Sequence, residues 1–111
     1  EAKTVTMSGT YKWGSKKPGP LTGVFTKGDD GKWTVVFTAK WKKKDHTYKG
    51  TVEGDPTKGP TKGVADDGKT KKKRTWRFTT KIKNNTLMGE HWETTKGDKK
   101  TGVFSIKPGA K

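Results

Sequence analysis

The chain has 111 residues, of which 26 are Lys or Arg and 11 are Asp or Glu, for a formal net charge of +15. That length fits one domain. The lack of cysteine excludes a disulfide framework, a thiol nucleophile and a Cys-ligated zinc site, and no apolar stretch approaches the roughly 20 residues of a membrane helix. Only 25% of residues are apolar and 33% are charged, a balance that favours disorder unless the apolar residues are large and well placed. Here they are: 5 Trp, 2 Tyr and 4 Phe recur in short alternating runs. Each such ring can hide about 150–250 Å², so a thin core is affordable. Self-repulsion works against it, which predicts modest stability that depends on ionic strength. The opening Glu1-Ala2-Lys3-Thr4 has no initiator Met. It fits the mature end of an exported protein or a trimmed chain, and a periplasmic or extracellular location is the expectation.

Helical spacing is nowhere sustained, whereas period-two alternation is frequent. Val5 to Trp13 has apolar odd positions, and Gly14 to Pro20 breaks it. Leu21 to Lys27 is a second run, closed by Gly28-Asp29-Asp30-Gly31. Lys32 to Lys42 is the clearest strand, with Trp33, Val35, Phe37, Ala39 and Trp41 on one face. A short turn, Lys43-Lys44-Asp45, leads to a fourth run over 46–54 with His46, Tyr48, Gly50 and Val52 inward. Two prolines make 55–60 a loop. A short strand over 61–65 and a polar turn around Asp67-Gly68 follow. Lys73 to Lys83 places Trp76, Phe78, Thr80 and Ile82 inward, and Asn84-Asn85 reads as a tight hairpin turn. Thr86 to Thr94 and Lys100 to Lys107 complete the set, with a tail over 108–111.

Eight strands joined by short loops must pair antiparallel with their neighbours, because parallel pairing needs crossovers of a dozen or more residues. The expectation is a single all-β domain over 1–111, an eight-stranded up-and-down β-barrel or, as the alternative, a two-sheet β-sandwich. Closure would remove both sheet edges, and the in-strand glycines Gly9, Gly23, Gly50, Gly63, Gly89 and Gly102 permit the curvature. Gly9-Thr10-Tyr11, Tyr48-Lys49-Gly50-Thr51 and Lys100-Thr101-Gly102-Val103-Phe104 resemble strand pieces of the avidin-like and lipocalin-like barrels. The resemblance implies the fold and transfers no ligand or site residue.

A meander also predicts where charge goes, because successive loops alternate between the two ends. Segments 14–19, 42–45, 66–74 and 95–100 share one end. They hold Lys16, Lys17, Lys42, Lys43, Lys44, Lys69, Lys71, Lys72, Lys73, Arg74, Lys96, Lys99 and Lys100 against Asp45, Asp66, Asp67 and Asp98, a surplus of nine. The loops of the other end balance to zero. Trp13, Trp41, Trp76 and Trp92 fall at the basic end with His46 and His91, and only Trp33 belongs to the other. Cations attract phosphate, sulfate or carboxylate, and rings stack on bases or sugar faces. The plainer possibility is that lysine-rich turns serve solubility and tryptophans plug a small barrel.

No catalytic constellation stands out. His46 and His91 fall short of the three or four ligands a metal site needs. The few serines form no nucleophile elbow, and Glu90 and Glu93 point to opposite faces of one strand. The expected function is therefore non-enzymatic, with neither cofactor nor metal. The basic end binds an anionic polymer or surface, an acidic polysaccharide or a nucleic acid, through Lys16, Lys17, Lys42, Lys43, Lys44, Lys71, Lys72, Lys73, Arg74, Lys99 and Lys100. Trp13, Trp41, Tyr48, Trp76 and Trp92 supply the rings. Two alternatives stand beside it: a small-molecule barrel with an aromatic pocket, and a structural or inhibitor domain that grips a partner protein.

Overall fold

The structure, a computed structural model, describes residues 3–14, 17–41 and 43–108, the side chain of Trp41 excepted. It consists of eight strands: β1 (Lys3–Trp13), β2 (Gly19–Lys27), β3 (Trp33–Trp41), β4 (Lys44–Glu53), β5 (Thr61–Asp66), β6 (Thr75–Lys83), β7 (Thr86–Glu93) and β8 (Lys99–Pro108). Each pairs antiparallel with its neighbour, and β1 pairs with β8, so the sheet closes into an up-and-down barrel. The sandwich alternative is thereby set aside. Among the described residues no helix is long and apolar enough to cross a membrane.

Strand limits differ from the sequence pattern in several places: β1 and β2 begin two residues earlier, at Lys3 and Gly19, Pro108 pairs with Met7 as the end of β8, and two further hairpins shift. β4 starts at Lys44 because Lys43 takes a left-handed conformation (φ 62°) and lets Lys44 pair with Trp41 at once. β6 starts at Thr75, two residues later than the alternation implies. There Asp67 N–H bonds the Arg74 carbonyl at 3.2 Å, and Lys72 turns the chain at φ 52°. At Asn84-Asn85 both residues have positive φ, the backbone of a type I′ hairpin, which asparagine tolerates.

The barrel interior has a floor. Three phenylalanines each face a glycine across the ladder: Phe37 opposite Gly23, Phe78 opposite Gly63 and Phe104 opposite Gly89. A glycine has no Cβ, so the neighbouring ring can lie over its backbone. The rings then meet at centroid distances of 5.3 Å (Phe37–Phe78), 5.5 Å (Phe37–Phe104) and 6.4 Å (Phe78–Phe104), with edge-to-face or tilted geometry. Such pairs contribute about 0.5–1.5 kcal/mol beyond their area.

Towards the end where β1 starts and β8 finishes the interior is a packed apolar cluster. Met7, Phe25, Trp33, Val35, Val52, Leu87 and Ile106 are buried there. Thr61 and Thr80, also buried, hydrogen-bond each other through their hydroxyls. Pro56, fully buried, caps this end from the loop between β4 and β5. Asp55 holds that loop by accepting from Thr57 N–H at 2.8 Å.

The Phe–Gly pairing makes a stability prediction. A Cβ on Gly89 would sit 2.2 Å from the Phe104 ring, so Gly89→Val should destabilise by about 1–3 kcal/mol, as overpacked cores do. Gly59 has open space around it and no positive φ. Gly59→Ala should stay within about 0.5 kcal/mol of the parent. Urea melts of the two variants check this.

Candidate functional site

On the other side of the floor the barrel is open. The cup that results has a volume of about 570 Å³. Phe37, Phe78 and Phe104 close its bottom, small residues such as Ala39 and Ala65 leave its middle wide, and Tyr11, Trp13, Tyr48, Trp76 and His91 form its walls. The hydrogen-bond register explains how distant residues meet. The ladder row that starts at Trp33, at the closed end of β3, climbs through Val52, Gly63, Phe78, His91 and Gly102 to Trp13 at the open end of β1. This is the stagger that closure of a tilted barrel requires.

The wall rings brace each other. Trp76 stands edge-on to Tyr48 at 4.9 Å and to Trp13 at 6.1 Å, and His91 lies 5.5 Å from Trp13. The Tyr11 hydroxyl donates to the Lys40 carbonyl at 3.1 Å. The indole Nε1–H of Trp76 is buried and has no partner among the described residues. Burial pushes the Tyr48 hydroxyl above its ordinary pKa, so it stays protonated and a donor.

His91 owes its chemistry to a bulge. The register of β7 and β8 shifts between His91 and Trp92, pairing them with Gly102 and Lys100 and leaving Thr101 extra. The bulge turns Thr101 inward against the histidine. Its hydroxyl donates to the His91 carbonyl at 3.1 Å. It must therefore accept from Nδ1–H, which leaves Nε2 as the acceptor of the ring. Burial holds the imidazole neutral, with its pKa lowered to about 4.

The mouth is charged but balanced. Lys17, Lys69, Arg74, Asp45 and Asp67 border it. Arg74 binds Glu93 with two hydrogen bonds, at 2.9 and 2.7 Å, and its guanidinium lies 4.9 Å from the Trp76 centroid and 5.7 Å from that of Trp13. The hydrogen bonds with Glu93 raise the Arg74 pKa, and the guanidinium lowers that of Glu93. Asp67 shapes the loop before Arg74 by accepting from Lys69 N–H at 3.1 Å and Arg74 N–H at 3.3 Å.

The topology gathers the four basic loops at this end. Lys43, Lys44, Lys71, Lys72, Lys73, Lys96 and Lys99 are exposed around the mouth. Lys16, Lys42 and the Trp41 side chain lie outside the described residues. The loop count of charge omits two carboxylates on β7: Glu93 pairs with Arg74, and Glu90 pairs with Lys100 at 2.7 Å on the outer wall. The strand cations Lys12, Lys40 and Arg77, which the loop count also omits, lie at the same height and offset them. Trp92 does not line the cup. It points outward, and Arg77 covers it at 4.1 Å while binding Asp98 with two hydrogen bonds of 2.7 Å. Tyr11, His91 and Phe104 belong to the cup although no motif marks them. The signal that finds them is period two, since Tyr11 shares the face of Trp13. Among the described residues no three of His, Asp and Glu converge as metal ligands. Neither a protein-family model, a curated protein nor a solved structure gives a significant match to the chain.

The neutral His91 makes a prediction about pH. Its folded pKa of about 4 lies below the ordinary 6.5. The unfolded chain therefore binds the extra proton first, and stability is lost as pH falls from about 6.5 to 4. The loss reaches about 2–3 kcal/mol, at roughly 1.4 kcal/mol per pKa unit. His91→Gln should flatten that slope. Chemical melts at pH 7 and pH 4.5 for both proteins measure it.

Proposed function

We propose that the protein is a non-enzymatic binding protein that holds an anionic polymer at its basic end and seats one ring of that polymer in the cup. One observation carries the reading: an aromatic cup of about 570 Å³ opens within a ring of exposed lysines. The volume falls within the range of ordinary ligand sites. Cations at the mouth are matched by Asp45, Asp67 and Glu93, so the immediate rim gives an anion little net attraction. The surplus lies farther out, on Lys43, Lys44, Lys71, Lys72, Lys73, Lys96 and Lys99. A compact monoanion inside the cup cannot use those charges, whereas a chain that leaves the cup and crosses the surrounding loops can.

Charge and ring contributions are separable. A protein that neutralises about five phosphates should lose affinity by on the order of a hundredfold between about 50 and 200 mM salt. Replacing Lys71, Lys72 and Lys73 with Gln should lower the salt slope by about one per lost contact and leave the fold intact, because all three are exposed. Tryptophan emission should change as the ring enters. A second reading, a small uncharged ligand, draws on the same cup. It predicts the emission change with a flat salt response. No binding of any polyanion at low salt would refute the polymer reading.

A further inference from the structure

We infer that the ring admitted by the cup is a nucleobase, so that the polymer is a single-stranded nucleic acid and not an acidic polysaccharide. This rests on the polymer reading above and is carried by the polarity of the cup wall. The lining below the mouth includes Leu21, Phe37, Ala39, Ala65, Phe78 and Phe104, which offer no polar side-chain atom. Barrel backbone groups are committed to the ladder. His46 and Thr47 line the cup beside Asp45, towards the mouth. Of the polar groups deeper in the wall, the Tyr11 hydroxyl is taken by the Lys40 carbonyl and His91 Nδ1 by Thr101. Neither the Trp76 Nε1–H nor the Tyr48 hydroxyl is hydrogen-bonded among the described residues, and His91 Nε2 remains as an acceptor.

A pyranose of an acidic polysaccharide carries a hydroxyl, carboxylate or sulfate on most ring carbons. Inserted here, most of them would leave water without a partner, and each unpaired buried group weighs against binding. A nucleobase confines its polar atoms to its edge and presents two π faces, which aromatic walls cover without regard to sequence. The Trp76 Nε1–H and the Tyr48 hydroxyl as donors, with His91 Nε2 as acceptor, suit such an edge. The phosphates of the same strand then run outward to the exposed lysines.

The test compares three probes of matched length and charge on the intact protein: a single-stranded oligoadenylate, the same strand with abasic sites, and a heparin-derived oligosaccharide. Affinity and tryptophan emission are read together. The oligoadenylate is expected to bind about tenfold tighter than either of the others, the factor one stacked base supplies, and it alone should change the emission. Tyr48→Phe, which removes only the hydroxyl, should narrow that preference. Trp92→Phe, on the outer wall, should leave it unchanged. Equal affinity for the base-bearing and abasic strands overturns the inference. So does an oligosaccharide that binds as tightly with the same emission change, though the polymer reading then survives. If none of the three binds at low salt, the polymer reading itself falls.

Discussion

Three phenylalanine rings can meet in the middle of this barrel because glycines face them across the strands, and the height of that contact divides the interior into core and cup. Phe37, Phe78 and Phe104 would each need room that a larger partner at Gly23, Gly63 or Gly89 would occupy. With the glycines in place the rings lie inward, and eight strands leave just enough width for them. Below them Met7, Phe25, Trp33, Leu87 and Ile106 belong to one buried cluster. Above them the side chains are either small, as at Ala39 and Ala65, or large rings that brace one another. A chain with so few apolar residues thus concentrates burial in one half of the barrel and leaves the other half accessible.

The polar groups follow the same division. At the closed end they are few and paired, as in the Thr61–Thr80 contact. At the open end they form a layered arrangement: a neutral wall, then a mouth where Arg74 meets Glu93, then exposed lysines. Exposed ion pairs such as Arg77–Asp98 and Lys100–Glu90 add little stability by themselves. The Arg74–Glu93 pair joins the start of β6 to the end of β7 and fixes a guanidinium against two indoles. The charge that remains unspent sits where a long anion would cross the loops.

Much of this architecture is legible in the sequence because it depends on two local signals. Alternation from Trp33 to Trp41 sets a strand and its inward face, and Asn84-Asn85 sets a hairpin. Short loops then allow only antiparallel neighbours, and loop alternation collects the lysines at one end. What is not legible depends on register. Nothing near Phe104 announces Gly89 as its partner, since the two meet only when β7 and β8 align. The bulge that brings Thr101 to His91 has no sequence marker, and neither does the pairing of Glu93 with Arg74. Trp92 shows how far period two alone can reach. Alternation puts it on the outer wall, but the Arg77 guanidinium that covers it comes from the neighbouring strand.

The division of the interior into core and cup is tested most directly by fluorine NMR of the protein labelled with 5-fluorotryptophan, each resonance assigned by a single Trp→Phe variant. A single-stranded oligoadenylate is then added at low salt. The account predicts that the Trp13 and Trp76 resonances move while Trp33, beneath the phenylalanine floor, does not. Movement of Trp33 together with the other two would show that no floor separates the halves, and movement of Trp92 alone would place binding on the outer wall; either result contradicts the account.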